Sequence, residues 1–65
     1  MKPLSEEVVQ RSRDGSVQIV RRQFSAGYKN YIVEYFIDDD WRPSKNGPWD
    51  YLSNARNEFQ IAVAT

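Results

Sequence analysis

A chain of 65 residues with zero formal net charge, 28% charged residues, no cysteine and no histidine limits its own chemistry before any pattern is read. At this length a folded chain buries only about 60% of the surface its unfolded form exposes. The expectation is therefore one thin-cored domain over residues 1–65, with no disulfide and no His- or Cys-bound zinc to staple it and with partner docking or self-association as the alternative support.

The missing imidazole and thiol also remove the usual general base near neutral pH and the thiolate nucleophile, so the chain reads as a non-enzyme without a cofactor. Glu34, Asp38 and Asp40 could supply paired carboxylates, but so short a chain rarely encloses a substrate pocket. No apolar run reaches the ~18 residues of a membrane span, the start Met-Lys-Pro-Leu-Ser-Glu-Glu lacks a signal core, and absent cysteine fits a reducing compartment. These features imply a cytoplasmic protein. Scarce glycine and proline with 40% hydrophobic residues argue against disorder.

In chain order, residues 3–12 admit a short helix, a strand or a flexible arm, the last extending over residues 1–7. Leu4, Ser5 and Val9 fit the staple positions of a helix start, with Glu6 and Glu7 in its first turn. Against that, Val8 and Val9 are β-branched, and Arg13-Asp14-Gly15-Ser16 reads as a hairpin turn in which Asp-Gly supplies two positive φ values. The hairpin makes residues 8–13 a strand with Val9 opposite Val20. Residues 16–24 form the next strand by composition, with Val17, Ile19, Val20 and Phe24 spread over both faces. Ser25-Ala26-Gly27 ends it, Gly27 offering a left-handed turn conformation.

Residues 28–38 alternate most clearly, with Tyr31, Val33, Tyr35 and Ile37 on one face and Ile32, Glu34 and Phe36 on the other, so this strand is central. Asp38-Asp39-Asp40 reverses the chain into a short edge strand ended by Pro43. Beyond a loop at 44–47, Leu52, Ala55, Phe59, Ala62 and Val63 make one apolar helical stripe, with Asp50 as N-cap. The predicted fold is α+β: a small antiparallel meander of three to four strands with one C-terminal amphipathic helix packed on one face. The predicted core is Val17, Ile19, Tyr31, Val33, Tyr35, Leu52, Ala55, Phe59 and Val63.

Charge divides along the sequence. Residues 1–33 hold six basic and three acidic side chains, and residues 34–65 hold the reverse. This gives either a basic and an acidic side or halves whose fields cancel on folding. Arg21 and Arg22, with Arg11, Arg13 and Lys29 near in sequence, could form a basic strip or simply guard an edge strand. Asp38, Asp39 and Asp40 could meet a basic partner or serve as ordinary turn residues, and they lack the spacing of a calcium loop. No metal site is expected. Trp41 and Trp49 flank the 42–48 loop, where they either pack on each other or stand out as interface anchors, with Tyr28 and Tyr51 next.

The element order over residues 16–64 and the run Trp49-Asp50-Tyr51-Leu52-Ser53-Asn54-Ala55 resemble the arm-binding domains of phage integrases and a plant class of DNA-binding domains. Those domains read DNA with the sheet and are basic, whereas this chain is neutral. The resemblance implies a sheet-mediated nucleic-acid contact as the alternative function. The leading expectation is a protein-binding module, an inhibitor, adaptor or small subunit of the kind common in phage and mobile elements. Its contact residues would be Arg21, Arg22, Tyr28, Asp38, Asp39, Asp40, Trp41, Trp49 and Tyr51, on a larger protein partner or in a homo-oligomer.

Overall fold

Among residues 2–64, the part of the chain that this computed structural model describes, four strands and one helix form in the order β1 (Ser5–Arg11), β2 (Val17–Ser25), β3 (Tyr28–Ile37), β4 (Asp40–Pro43) and α1 (Leu52–Ala64). Met1 and Thr65 lie outside the described residues. Each strand pairs antiparallel with its neighbour in sequence, giving one sheet ordered β1-β2-β3-β4. This is the expected meander with a helix across one face.

Residues 3–12 resolve into strand rather than helix or arm. Leu4, the proposed staple, is exposed, while residues 5–7 pair with residues 21–23 of β2. The strand nevertheless starts earlier than expected, and Val8 rather than Val9 stands opposite Val20. A β-bulge between Val8 and Gln10 inserts Val9 as an unmatched residue, which shifts the register by one.

The turn after β1 differs from its expected type. Only Gly15 has positive φ, at 78°, and its N–H donates to the Ser12 carbonyl at 3.0 Å. Asp14 stays out of the left-handed region. Its Oδ1 instead accepts from the Ser16 N–H at 3.0 Å and from the hydroxyls of Ser12 and Ser16, each at 2.7 Å. The two-residue turn with both φ values positive occurs at Asp38 (54°) and Asp39 (64°), between the paired Ile37 and Asp40. Gly27 does not use the left-handed conformation, and the β2–β3 reversal is closed by the Ser25–Tyr28 pair.

Alternation along β2 and β3 decides what lies under α1. Val17 and Ile19 share a face with Tyr31 and Val33, and Ala55 and Phe59 of the helix close over them to make the core. Full burial of such side chains is worth roughly 1.5–3 kcal/mol each. Tyr35, Leu52, Ala62 and Trp49 pack around the rim. Val63, expected in the core, is instead exposed, because the buried helix stripe runs through Ala55, Phe59 and Ala62 and Val63 falls one position off it, beside a cleft that also borders Arg13 and Asp14. The helix begins one residue later than Asp50 would require as N-cap. Tyr51 supplies the carbonyl that the Asn54 and Ala55 N–H groups reach, at 3.1 and 3.4 Å.

Candidate interaction surface

Residue Trp49 ties the connection before α1 back to the sheet. Its N–H and C=O exchange hydrogen bonds with Tyr31 at 2.7 and 2.8 Å, so the chain resumes pairing with β3 after leaving β4. Between them, Gly47 passes so close to the sheet that a Cβ there would sit 3.1 Å from Ile32 Cδ1. This contact falls on the face opposite α1, since Ile32 pairs with Val20 rather than with the core positions. Pairing also puts the two indoles on opposite faces, Trp49 beside Tyr31 under the helix and Trp41 beside Phe36 on the far side. They do not stack on each other.

Trp49 is fixed by Glu58 of α1, whose carboxylate is the hub of the helix side. It accepts from Trp49 Nε1–H at 2.8 Å, Tyr35 OH at 3.2 Å, Asn46 Nδ2 at 3.5 Å and the Ser44 hydroxyl. Partial burial is the largest single influence on Glu58 and acts to raise its pKa. The donors from Ser44, Trp49, Asn46 and Tyr35 together outweigh it and hold the group below its ordinary value. Tyr35 is pushed up, first by burial and then by the Glu58 charge. Beside this hub lies a half-open cleft of about 330 Å³ bordered by Tyr35, Trp49, Asn54, Asn57 and Ile61. Its carboxylate is fully engaged in holding the loop against the helix, a structural task.

Among the described residues no helix or further strand covers the face opposite α1, yet Gln18, Val20, Asn30 and Ile32 on it are all buried. Gly47 of the loop passes close to Ile32, and long side chains from the surrounding positions ring the rest. Arg11 donates from Nε and Nη2 to Gln18 Oε1 at 3.1 and 2.8 Å, and Gln18 Nε2 donates to Glu34 Oε1 at 2.7 Å. The Arg11 guanidinium also lies 5.5 Å from the Trp41 ring centre, and Trp41 packs on Phe36 at 5.2 Å with the planes 58° apart. Along the strands from this corner the motif recurs. Arg22 donates to Asn30 Oδ1 at 3.1 Å and lies 5.6 Å from the Phe24 ring, which meets Tyr28 at 5.5 Å. Two arginine–aromatic clusters thus flank a small dry centre.

The expected contact residues are therefore divided. Arg22, Tyr28 and Trp41 belong to this face. Asp38 and Asp39 form the adjoining turn, and Asp40 turns its carboxylate onto the Trp41 N–H at 2.8 Å. Arg21 points to the helix side, where it bridges to Glu7, and Trp49 is in the rim of the core. Tyr51, 69% exposed, stands alone before α1. Among the described residues no group of three or more acidic side chains is placed to hold a metal ion, and no helix is long and apolar enough to cross a membrane. The residues missing from the sequence reading of the surface are Phe24 and Phe36, with Gln18 and Glu34, which hold Arg11 at one corner, and Asn30, which holds Arg22 at the other. Strand alternation placed Phe36 opposite Tyr35, but only the pairing register brings it to Trp41.

No family model, curated protein or solved structure matches the chain.

Proposed function

We propose that the chain is a non-enzymatic protein-binding module, an inhibitor, adaptor or small subunit in the cytoplasm, and that it docks through the sheet face opposite α1. The observation that carries this reading is the pair of arginine–aromatic clusters on that one face, Arg11–Trp41–Phe36 and Arg22–Phe24–Tyr28. Tryptophan, tyrosine and arginine are the residue types that dominate interface energetics, because they combine large apolar area with directional polar groups. Here the two arginines are pre-ordered by hydrogen bonds to Gln18 and Asn30, so less conformational entropy is lost on docking.

Affinity capture from lysate with quantitative mass spectrometry tests the reading. Wild type and Tyr51→Ala are expected to retain the same stoichiometric protein, and Trp41→Ala combined with Tyr28→Ala to lose it at least tenfold. Retention by the double variant overturns it. The nucleic-acid alternative draws less support, because Arg11 and Arg22 lie on one face and Arg21 and Lys29 on the other, splitting the basic strip. A salt-sensitive mobility shift with single- or double-stranded oligonucleotides would restore it.

A further inference from the structure

The sheet has two free edges, and they are unlike. The β4 edge is short, ends in Pro43, and gives way to the loop that returns at Trp49. Among the described residues the β1 edge runs for seven residues with its outer backbone groups facing no strand, and Val8 (44%) and Val9 (38%) on it and Leu4 (74%) just before it are exposed. Natural edges are guarded by charge and by bulges. Here the charges are ordered by position, acidic at Glu6 and Glu7 and polar to basic at Gln10 and Arg11. Such an order repels a strand of like pattern running parallel and attracts one running antiparallel.

The bulge makes that attraction geometrically possible. In a regular strand, residues 6 and 11 point to opposite faces. Because Val9 is inserted, Glu6 shares a face with Arg22 while Arg11 shares the same face with Gln18, and Glu7 and Gln10 share the other face with Arg21 and Ile19. We propose that β1 pairs antiparallel with β1 of a second copy of this chain about a two-fold axis between Val8 and Val9, fusing the two sheets into one. Glu6 then faces Arg11 of the other copy, Glu7 faces Gln10, and Val8 meets Val9, each contact occurring twice as an isologous interface requires. Two of the five N–H bonds of Arg11 go to Gln18, which leaves the others for the incoming carboxylate. The contact shares Arg11 with the proposed docking face but otherwise uses the β1 edge, and it stands without that reading.

Sedimentation equilibrium up to millimolar concentration tests this. Wild type is expected to dimerise reversibly, Glu6→Arg and Arg11→Glu each to weaken association about tenfold or more, and a mixture of the two to recover it, since cross-strand charges are then again opposite. Val8→Lys, which leaves both charges in place, is expected to weaken the dimer as well, so the outcome does not depend on Arg11→Glu keeping its contacts to Trp41. A monomeric mass for wild type throughout overturns the proposal. So does a dimer indifferent to Glu6→Arg and Val8→Lys, or a mixture that stays monomeric while each variant is folded by circular dichroism.

Discussion

The two faces of this sheet are both buried at their centres and are dried by different means. On one side Ile19 and Val33 are sealed by a helix that brings Ala55 and Phe59 down onto them. On the other, Val20 and Ile32 are buried between two arginine–aromatic clusters that flank them on the same face, with Gly47 passing close to Ile32. A covering helix removes water through backbone-anchored apolar contacts. Guanidinium and indole covers do so through flexible stems whose polar ends stay in reach of solvent. The first arrangement is suited to stability. The second leaves a surface that is ordered, apolar in part and still able to exchange its cover for a partner.

Truncation should separate the two faces most sharply. A 65-residue chain has a total stability of roughly 3–10 kcal/mol by the usual per-residue range. Phe59→Ala removes the largest helix side chain of the core, at a cost of about 3–5 kcal/mol. The expected result in urea melts is a chain largely unfolded in buffer. Trp41→Ala removes a bigger ring, but one only partly buried, and should cost about 1–2 kcal/mol while leaving a cooperative transition. If Trp41→Ala proves as damaging as Phe59→Ala, the far face is core and not a working surface.

The Glu58 hub joins the helix to the loop that reaches the far face, so its loss tests whether the faces are coupled. Glu58→Ala strands the donors of Trp49 and Tyr35, and a cost of about 1–3 kcal/mol is expected. The pH dependence follows from the shifts. Because the folded carboxyl lies below its ordinary value of 4.5, its stabilisation is complete above that pH and fades as pH falls through the folded value. Tyr35, raised from 10.0, adds stability that is complete below that pH and is lost as pH rises through its folded value. Asp14, held down to about 2 chiefly by the Ser16 and Ser12 hydroxyls, extends the acid loss to lower pH. Glu58→Gln should therefore flatten the part of the acid limb that begins below pH 4.5 and leave the Asp14 part. An unchanged limb would mean that the hub carries no net stability.

Much of this architecture was legible because strand alternation and helix stripe agree with each other. Tyr31, Val33, Ala55 and Phe59 could be paired across elements from periodicity alone, since each was compatible with only one buried face. The bulge at Val9 was not legible, because two adjacent valines satisfy either register. The expected Val9–Val20 pairing already sets Arg11 opposite Gln18, as observed, but the arginine–aromatic corner stayed hidden because the register that puts Trp41 beside Phe36 depends on the length of the Asp38–Asp39 turn. Trp49 was misplaced for a related reason. Its isolated pairing with Tyr31 depends on how far the 44–48 loop travels, which local composition does not encode.

The smallest expected effect concerns the turns, where sequence and geometry disagree in a testable direction. Asp38 and Asp39 occupy the left-handed region without being glycine, at φ values of 54° and 64°, while the residue with the required freedom, Gly15, serves the other hairpin at 78°. An L-residue with a Cβ is held there at a cost of about 1–2 kcal/mol, moderated for aspartate by its local hydrogen bonding. Asp39→Gly removes that strain but loosens the unfolded chain, so a net gain of about 0.5 kcal/mol is expected. At this size that is a rise of roughly 2–4 °C in Tm. Gly15→Ala should move Tm the other way, although no atom lies within 4 Å of the added Cβ, because the penalty is in the backbone and not in packing. Asp40→Gly is the control: Asp40 is paired with Ile37 in extended conformation, so glycine there can only weaken the strand. Equal losses for Asp39→Gly and Asp40→Gly would show that the tight reversal between β3 and β4 is held by its carboxylates. Opposite signs would place the constraint in φ, with the turn that presents Trp41 tolerating glycine at its second position.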